Sequence, residues 1–179
     1  MPVRVEGLPR VWGIAAGGTH SLALAGDGDV WAWGLDLTVE QKDDSPVLRT
    51  TPARVAGLSD VYRIAAGGVH ALALKRDGTV WAWGGNGEGQ LGDGSRTERL
   101  TPVRVGGLSD VIAIAAGGDF SLALTRDGQV WGWGQNLSGQ LGDGSRTDRL
   151  TPVRVGVSGV GRISAGLNDR GLARKDKEG

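Results

Sequence analysis

The chain has no cysteine among its 179 residues, and it contains only two histidines, one methionine, one tyrosine and one phenylalanine. The absence of cysteine excludes disulfide bonds, thiolate metal sites and cysteine nucleophiles. Lysine plus arginine equals aspartate plus glutamate at 20 each, so no net positive field is available to attract a phosphate backbone. We therefore expect no nucleic-acid partner.

Long apolar runs and helical periodicity are also missing. No segment approaches the length of a membrane-spanning helix, and the N-terminal Met-Pro-Val-Arg lacks the apolar core of a signal peptide. These features predict no membrane partner and a cytoplasmic location, or secretion if a leader has been removed. The 33 glycines are spaced by short apolar runs without a collagen-like period, which is typical of turns between strands.

What the chain does have is a sequence repeat with a period of 50 residues. Between residues 51–100 and 101–150, 36 of 50 positions are identical. A Pro-x-Arg-Val segment opens every unit, at Pro2, Pro52, Pro102 and Pro152, and a Trp-x-Trp-Gly segment ends at Gly34, Gly84 and Gly134. This period predicts a single repeat domain over 1–179, with repeats 1–50, 51–100 and 101–150 and a partial or decayed repeat 151–179.

Each repeat predicts four short antiparallel strands, as the second unit illustrates. Thr51–Val55 fits an outer or edge strand, because its proline cannot donate to a ladder. Val61–Ala66 is an apolar run, and Ala71–Leu74 and Val80–Trp83 flank an Asp-Gly turn, which is a strong hairpin signal. Four such strands with glycine-rich turns are typical of one blade of an all-β propeller. A β-helix is the alternative, which the hairpin and the repeat length disfavour.

The tryptophans of the Trp-x-Trp segments share one face of their strand, because side chains alternate with a period of two. They are Trp31, Trp33, Trp81, Trp83, Trp131 and Trp133. With a small residue between each pair, we expect these rings to pack between adjacent sheets. The alternative is that the indoles line a binding site for a sugar or another small molecule.

Several segments together resemble the repeat named for the regulator of chromosome condensation. They are Ile14–Leu24, Ile64–Leu74, the Asp-Gly-x-Val-Trp-x-Trp-Gly stretches and Asn86–Gly92, and the resemblance covers residues 1 to about 155. It implies a propeller, which has seven blades in that family, and a role as a protein-binding platform. Members of the family include an exchange factor for a small GTPase, a plant ultraviolet receptor and bacterial inhibitors of β-lactamase.

The sequence also departs from the family pattern in places. Phe120 replaces the histidine that the two earlier units carry as His20 and His70, and one residue is missing after Val155. Three units and a fragment amount to about half of a ring.

An incomplete ring leaves strand edges and apolar faces open at both ends, which invites association. We expect Pro2–Val5 to form a strand with no preceding strand to pair with. We expect Gly161–Gly166 to form a strand with no following strand to pair with. Each end could then complete the blade of the other. A symmetric homodimer requires an even blade number, six or eight, and six full blades plus two hybrid blades are favoured. The residues expected to mediate assembly are Pro2, Val3, Val5, Ile163, Leu167 and Leu172.

No residue pattern in the chain points to catalysis. The two histidines lack a neighbouring cluster of metal ligands or a nucleophile, and we expect their rings to bond to the backbone of a neighbouring blade. No triad, phosphate loop or nucleotide motif is present. We therefore predict no catalytic, cofactor-binding or metal-binding residues, and no cofactor.

The long loops are the better candidates for recognition. Loops 85–98 and 135–148 share the sequence of Gln90–Thr97 and Gln140–Thr147. In this shared part, Asp93 and Asp143 are expected to bond turn amides, and Arg96 and Arg146 to tie the loop to its blade. Segment 35–49 has the same length as these loops but not their sequence. Either contact with a partner or sequence drift explains the difference. The candidate partner-binding residues there are Leu35, Asp36, Glu40, Lys42, Asp43, Asp44 and Arg49.

The sequence as a whole predicts a non-enzymatic β-propeller scaffold for protein–protein binding, which assembles with itself through its open ends. Two alternatives remain. One is carbohydrate or small-molecule binding through tryptophan-rich surfaces, and the other is an enzyme with its site in the propeller channel.

Overall fold

The structure, a computed structural model, describes residues 1–35, 48–167 and 170–175, without the side chains of residues 170–173 and 175. Within these ranges the secondary structure consists of fourteen β-strands and no helix, which confirms the all-β prediction. No helix suited to crossing a membrane occurs in the same ranges.

Three four-stranded antiparallel sheets follow one another along the chain, each with its strands in sequence order. Blade 1 consists of β1 (Val11–Ala16), β2 (His20–Ala25), β3 (Val30–Leu35) and β4 (Leu48–Arg54). Blade 2 consists of β5 (Val61–Ala66), β6 (His70–Lys75), β7 (Val80–Gly84) and β8 (Arg99–Arg104). Blade 3 consists of β9 (Val111–Ala116), β10 (Phe120–Thr125), β11 (Val130–Gly134) and β12 (Arg149–Arg154). A half-blade of two strands, β13 (Val160–Gly166) and β14 (Arg170–Lys175), comes last.

The outermost strand of each blade comes from the next sequence repeat. In blade 1, the Thr-Pro segment lies in β4, where Arg54 pairs with Trp31 of β3. The predicted outer position of this strand is therefore confirmed, because a proline there removes no hydrogen bond from a central ladder. The boundaries of the blades are consequently displaced from those of the repeats.

The Asp-Gly turn closes each hairpin and also contacts the following blade. In blade 2, Gly78 has a φ of +80°, and the amide of Lys75 donates to the carbonyl of Thr79 over 3.0 Å. A Cβ on Gly78 would lie 3.3 Å from the backbone of Asp110, which itself has a φ of 52°. Glycine is needed here both for the left-handed conformation and for the close approach.

The apolar core lies between consecutive sheets. Leu22 and Leu24 of blade 1 belong to the same cluster as Ala71 and Trp83 of blade 2. The same arrangement joins Leu72 to Trp133 across the next boundary. We call the side of a blade that carries the second-strand leucines its trailing face, and the side that carries the tryptophans its leading face.

The tryptophans of blades 2 and 3 pack between sheets, as predicted. Trp83 and Trp133 are fully buried, and Trp81 and Trp131 pack against the same clusters. Replacing a ring buried in this way by alanine typically costs about 3–5 kcal/mol. Trp31 and Trp33 lie on the leading face of blade 1 and are only partly buried.

The two ends differ from their predicted strand pattern. Residues 2–5 form no strand, because an outer strand pairs only with the third strand of the preceding blade, and no such strand lies beside them in the described part of the chain. Gly161–Gly166 does have a partner, since β13 pairs with β14 in register from Arg162↔Arg174 to Gly166↔Arg170. The alternating Gly-Leu-Ala run at 171–173 retains enough of the second-strand pattern to form this hairpin.

Candidate binding surfaces

The first strands of the three blades and the half-blade line an open channel groove. Isoleucine occupies the equivalent position in each, at Ile14, Ile64, Ile114 and Ile163. The groove encloses a cavity of about 830 Å³, and the charged side chains that line it are Arg63 and Arg162. Among the described residues, its lining includes no carboxylate and no histidine of the kind that general acid–base chemistry uses.

At one end of this groove, an aromatic side chain decreases in size from blade to blade. Trp12 is 70% exposed, and the guanidinium of Arg10 lies 5.3 Å from its ring centroid. Tyr62 takes the same position in blade 2 and donates its hydroxyl to the carbonyl of Ile112 over 3.5 Å. Tyr62 thus reaches the first strand of the next blade, whereas Trp12 is largely exposed.

The Gly-Gly turns after the first strands bond to one another across the blade boundaries. The amide of Gly18 donates to the carbonyl of Gly67 over 3.0 Å, and that of Gly68 donates to Gly118 over 2.8 Å. A Cβ on Gly67 would collide with the ring of His70 and lie 2.6 Å from the carbonyl oxygen of Gly117. The backbones of neighbouring blades therefore approach too closely at these glycines to leave room for a side chain.

The two histidines lie between blades rather than in the groove. His70 is fully buried, and its Nε2 is 2.9 Å from the hydroxyl of Ser121 on blade 3. That hydroxyl donates to the carbonyl of Gln90 over 2.9 Å, and the indole of Trp133 donates to the same carbonyl over 2.8 Å. The predicted partner, a backbone group of the neighbouring blade, is therefore wrong, because a serine hydroxyl stands between the ring and the carbonyl.

His20 occupies the same position one blade earlier but lacks such a contact. It is 4% exposed, and neither ring nitrogen has a hydrogen-bond partner among the described residues. The residue at the position of Ser121 is Ala71, which has no hydroxyl. Burial lowers the pKa of His20 to about 4 and that of His70 to about 3, so both rings are neutral at pH 7 and serve as packed side chains.

Loops 85–98 and 135–148 are each built around one buried asparagine. The side-chain amide of Asn86 donates to the carbonyls of Ser95 and Thr97 over 3.0 and 2.9 Å, while its oxygen accepts from the amide of Leu91 over 3.0 Å. Asn136 makes the corresponding contacts in blade 3. The sequence analysis missed these anchors, although an Asn-x-x-x-Gln-Leu-Gly signal is present in both repeats.

The aspartates of these loops act as predicted, whereas the arginines do not. Asp143 accepts the amide of Ser145 over 2.9 Å. Burial would raise the pKa of Asp143, but hydrogen bonds from Ser145, Arg149 and Asn136 together lower it to about 2. The arginine that ties the loop to its blade is Arg149, whose Nε is 2.7 Å from Asp143.

Arg96 has a different role from the one predicted for it. It bonds within its own loop, to Gly87 and Glu88, and also reaches Asp148 of the next loop over 3.1 Å. It therefore joins neighbouring loops, while Arg99, bonded to Asp93 over 2.7 Å, ties the loop to β8. The prediction was wrong because the arginine that begins the outer strand lies nearer to the buried aspartate.

The sequence of segment 36–47 differs from that of loop 85–98 at its glycine positions. Loop 85–98 has three glycines with positive φ, at Gly89, Gly92 and Gly94. The corresponding sequence positions in blade 1 are Val39, Lys42 and Asp44. Residues 36–47 therefore lack the glycines on which that loop conformation depends.

The predicted partner-binding residues divide into described and undescribed ones. Leu35 ends β3 and packs partly buried against the core between blades 1 and 2, and Arg49 lies partly buried in β4. The remaining candidates, Asp36, Glu40, Lys42, Asp43 and Asp44, lie outside the described residues. Partner binding by this segment stays a prediction.

The predicted assembly residues lie at the two ends. Val3 is 87% exposed, and Pro2 and Val5 are also exposed. Leu167 is exposed at the turn after β13, whereas Ile163 packs partly buried against the core of blade 3. The backbone of Leu172 lies in β14, and its side chain is among those that the structure does not describe. Their part in assembly stays a prediction.

Comparison with known proteins decides the family. The model of the regulator of chromosome condensation (RCC1) repeat matches residues 77–124 and 127–168. A second model of the same repeat matches 13–36, 61–90 and 111–140. The chain belongs to the RCC1 repeat family. No curated protein matches it at a significant level.

Several solved structures share the fold of this chain. Human WBSCR16 is 28% identical, with a TM-score of 0.76, and the match covers 88% of this chain and 42% of that protein. Prp20p of Saccharomyces cerevisiae is 24% identical, with a TM-score of 0.79 and coverage of 96% and 45%. In its complex with Kap60, yeast RCC1 (Prp20) matches at 25% identity, a TM-score of 0.77 and coverage of 96% and 44%. The chain therefore spans less than half the length of these relatives.

Proposed function

We propose that this protein is a non-enzymatic scaffold for protein–protein binding that associates through the open ends of its blade array, in the simplest case with a second copy of itself. A protein ligand is supported by the yeast relative, whose structures concern its binding to Gsp1p and histones and its complex with Kap60. Those particular partners are not transferred to this chain.

One observation carries the proposal: the leading face of blade 1 is uncovered. Ile14 is 80% exposed, whereas Ile64 and Ile114, its equivalents, are partly buried against the preceding blade. Trp33 is partly exposed, whereas Trp83 and Trp133 are fully buried. A face whose counterparts are each covered by another blade is a surface made for protein contact.

The alternatives gain less support from the geometry. The indoles of blades 2 and 3 are packed between sheets, so their faces are not available to stack on a sugar. The described residues that line the channel groove include Arg63 and Arg162 together with apolar residues and glycines, but no carboxylate or histidine. Neither arrangement favours a carbohydrate site or an enzyme over a protein contact.

Light scattering at several concentrations tests self-association. Ile14→Glu places a charge on the uncovered face, and Leu137→Glu is the matched control, because Leu137 is a 65% exposed apolar residue on the loop of blade 3. We expect the wild type and L137E to form a dimer and I14E to remain monomeric. A monodisperse wild-type monomer at all concentrations would refute association between two copies.

Association with another protein is tested by immobilising the same three variants and exposing them to native lysate. Binding through the open end predicts proteins that the wild type and L137E retain and I14E loses. Retention that is identical on all three variants would place partner binding on another surface.

A further inference from the structure

A second pocket lies beside blade 3, between the turn that ends at Asp110 and the hairpin turn that joins β10 to β11. Its volume is about 460 Å³, and among the described residues it shares no lining residue with the channel groove. The indole of Trp131 lies in its lining, although part of the same ring packs against the core. The pocket therefore combines aromatic surface with the polar groups of two turns.

Blade 2 shows what occupies the corresponding position there. Six of the eight residues that line the pocket are identical in blade 2, and the exceptions are Lys75 in place of Thr125 and Thr79 in place of Gln129. The ammonium of Lys75 lies 4.5 Å from the centroid of the Trp81 ring, within the range of a cation–π interaction. In blade 2 the chain thus supplies an ammonium ligand to its own indole.

Blade 3 lacks this ammonium. The side chain of Thr125 is too short to extend across the indole, and its hydroxyl donates to the carboxylate of Asp127 over 2.6 Å. No lysine is present among the described residues that line the pocket. The ring of Trp131 consequently has a pocket where the ring of Trp81 has a cation.

The second exchange leaves an acceptor without a donor. In blade 2, Thr79 accepts the indole N–H of Trp81 over 3.2 Å. In blade 3, the side-chain oxygen of Gln129 is buried and has no hydrogen-bond partner among the described residues. A buried acceptor of this kind is costly until a donor reaches it, and an ammonium carries three N–H donors.

The charges in the lining also favour a cation. They are the carboxylates of Asp110 and Asp127 and the guanidinium of Arg126. The hydrogen bond from Thr125 holds the pKa of Asp127 below its ordinary value, and Arg154 acts in the same direction, so Asp127 is ionised at pH 7. Asp110 is exposed and accessible to a ligand. Two carboxylates against one guanidinium attract an ammonium more than a carboxylate or a phosphate.

We propose that this pocket binds a primary alkylammonium group, the side chain of a lysine on a protein partner. The ammonium lies over Trp131 as that of Lys75 lies over Trp81. Gln129 accepts one of its protons, and Asp110 supplies the opposite charge. Too little of the ring is exposed for a sugar to stack on it, whereas an ammonium on a flexible stem needs only a small part of the ring. The site is separate from the uncovered face of blade 1 and so goes beyond the proposed function.

The experiment follows the indole N–H resonance of Trp131 by nuclear magnetic resonance in the full chain. The probe is a capped Gly-Lys-Gly peptide, and the control is the same peptide with its lysine acetylated, which removes the charge. We expect the first to cause a saturable shift in the millimolar range, as befits one exposed cation–π contact, and the second to cause none. An equal shift with the acetylated peptide, or a shift with glucose alone, would overturn the proposal.

A free amine is the other source of the same chemistry. n-Butylammonium reproduces the ammonium and its stem without a peptide backbone. We expect it to shift the same resonance but to bind more weakly than the lysine peptide. Tighter binding of n-butylammonium would overturn the assignment to a protein lysine.

Two exchanges between the blades test the internal comparison. Thr125→Lys gives blade 3 an ammonium of its own and should abolish the response of Trp131 to the peptide. Lys75→Thr combined with Thr79→Gln gives blade 2 the lining of blade 3, so the indole of Trp81 should begin to respond. A full response of Trp131 in T125K would show that the peptide binds elsewhere and would refute the site.

A change of charge tests the role of Asp110. Asp110→Asn removes the charge, and asparagine tolerates the φ of 52° at this position, so affinity for the peptide should fall about threefold. Asp60→Asn, at a φ of 57° in the equivalent turn of blade 2, is the matched control and should bind like the wild type. Equal affinity of D110N and D60N would overturn the opposite charge assigned to Asp110. I14E should also bind like the wild type, so a failure of this site and a failure of the proposed function give different results.

Discussion

The Nε2 of His70 lies 2.9 Å from the hydroxyl of Ser121 on the next blade, whereas His20, at the same position one blade earlier, has Ala71 in place of that serine. One blade boundary therefore has a buried hydrogen-bonded pair, and the other has a buried imidazole without a described partner. The boundaries also differ at the indole, since Trp133 donates to the Gln90 carbonyl while the Trp83 nitrogen has no partner among the described residues. The equivalent positions of the two imidazoles still allow the contribution of the serine hydroxyl to be measured at each boundary.

The first prediction concerns pH. The pKa of both folded histidines lies below the ordinary value of 6.5, so between about pH 6.5 and pH 4 the unfolded chain binds protons that the folded chain does not. Stability is full above pH 6.5 and falls as the pH decreases, by about 2 kcal/mol for each histidine at pH 5. Urea unfolding at pH 7.5 and pH 5 measures this loss.

The control for the pH prediction is His20→Phe, which copies the phenylalanine that blade 3 has at Phe120. The variant should lose about half of the difference in unfolding free energy between the two pH values. An unchanged difference in H20F would show that carboxylates, rather than the histidines, cause the acid destabilisation.

The second prediction exchanges serine and alanine between the two boundaries. Ala71→Ser gives the ring of His20 a hydroxyl within reach and should stabilise the protein by up to about 1 kcal/mol at pH 7.5. Ser121→Ala removes the partner of His70 and should destabilise the protein by about 1–3 kcal/mol. Denaturant titrations of both variants check the opposite signs, and destabilisation by both would contradict a hydrogen bond between His20 and the added hydroxyl.

The third prediction tests the close approach of the Gly-Gly turns. Gly67→Ala should destabilise by more than 3 kcal/mol or prevent folding, because the added Cβ collides with His70 and the Gly117 carbonyl. Gly87→Ala is the control, since nothing lies within 4 Å of its Cβ position and its φ is not positive. Measured by thermal unfolding, the stability of G87A should lie within about 0.5 kcal/mol of that of the wild type. An equal loss of stability in G67A and G87A would refute the packing explanation.

The fourth prediction concerns the loop anchor. Asn86→Ala removes two donated hydrogen bonds and the acceptor of the Leu91 amide. The substitution should lower the free energy of unfolding by about 2–4 kcal/mol and speed proteolysis within residues 87–98. Arg146→Ala, at an exposed side chain of the equivalent loop in blade 3, should change stability by less than about 0.5 kcal/mol. Comparable proteolysis in N86A and the wild type would contradict the role of the asparagine.

The sequence was sufficient to predict the blades because the features that form them are local. Period-two alternation in Ala71–Leu74 and Val80–Trp83 places leucines on one face and indoles on the other, and the Asp-Gly turn fixes their pairing. The outer position of the Thr-Pro strand followed from the chemistry of proline alone. The family resemblance was likewise visible in these contiguous segments.

The features that the sequence did not predict depend on residues that lie far apart in the chain. The failure of Pro2–Val5 to form a strand reflects a missing neighbour, because its own sequence is that of an outer strand. The partner of His70 lies 51 residues away. The choice of Arg99 over Arg96 as the loop tie depends on which guanidinium reaches a buried carboxylate, which spacing alone does not determine.

The Gly18–Gly67 and Gly68–Gly117 bonds place the same joint at successive blade boundaries. A repeated joint turns each blade relative to the last by a similar angle, and that angle determines how many blades complete a circle. A longer array made from these repeats would therefore keep the same curvature, so that the number of blades in a full circle would follow from this joint.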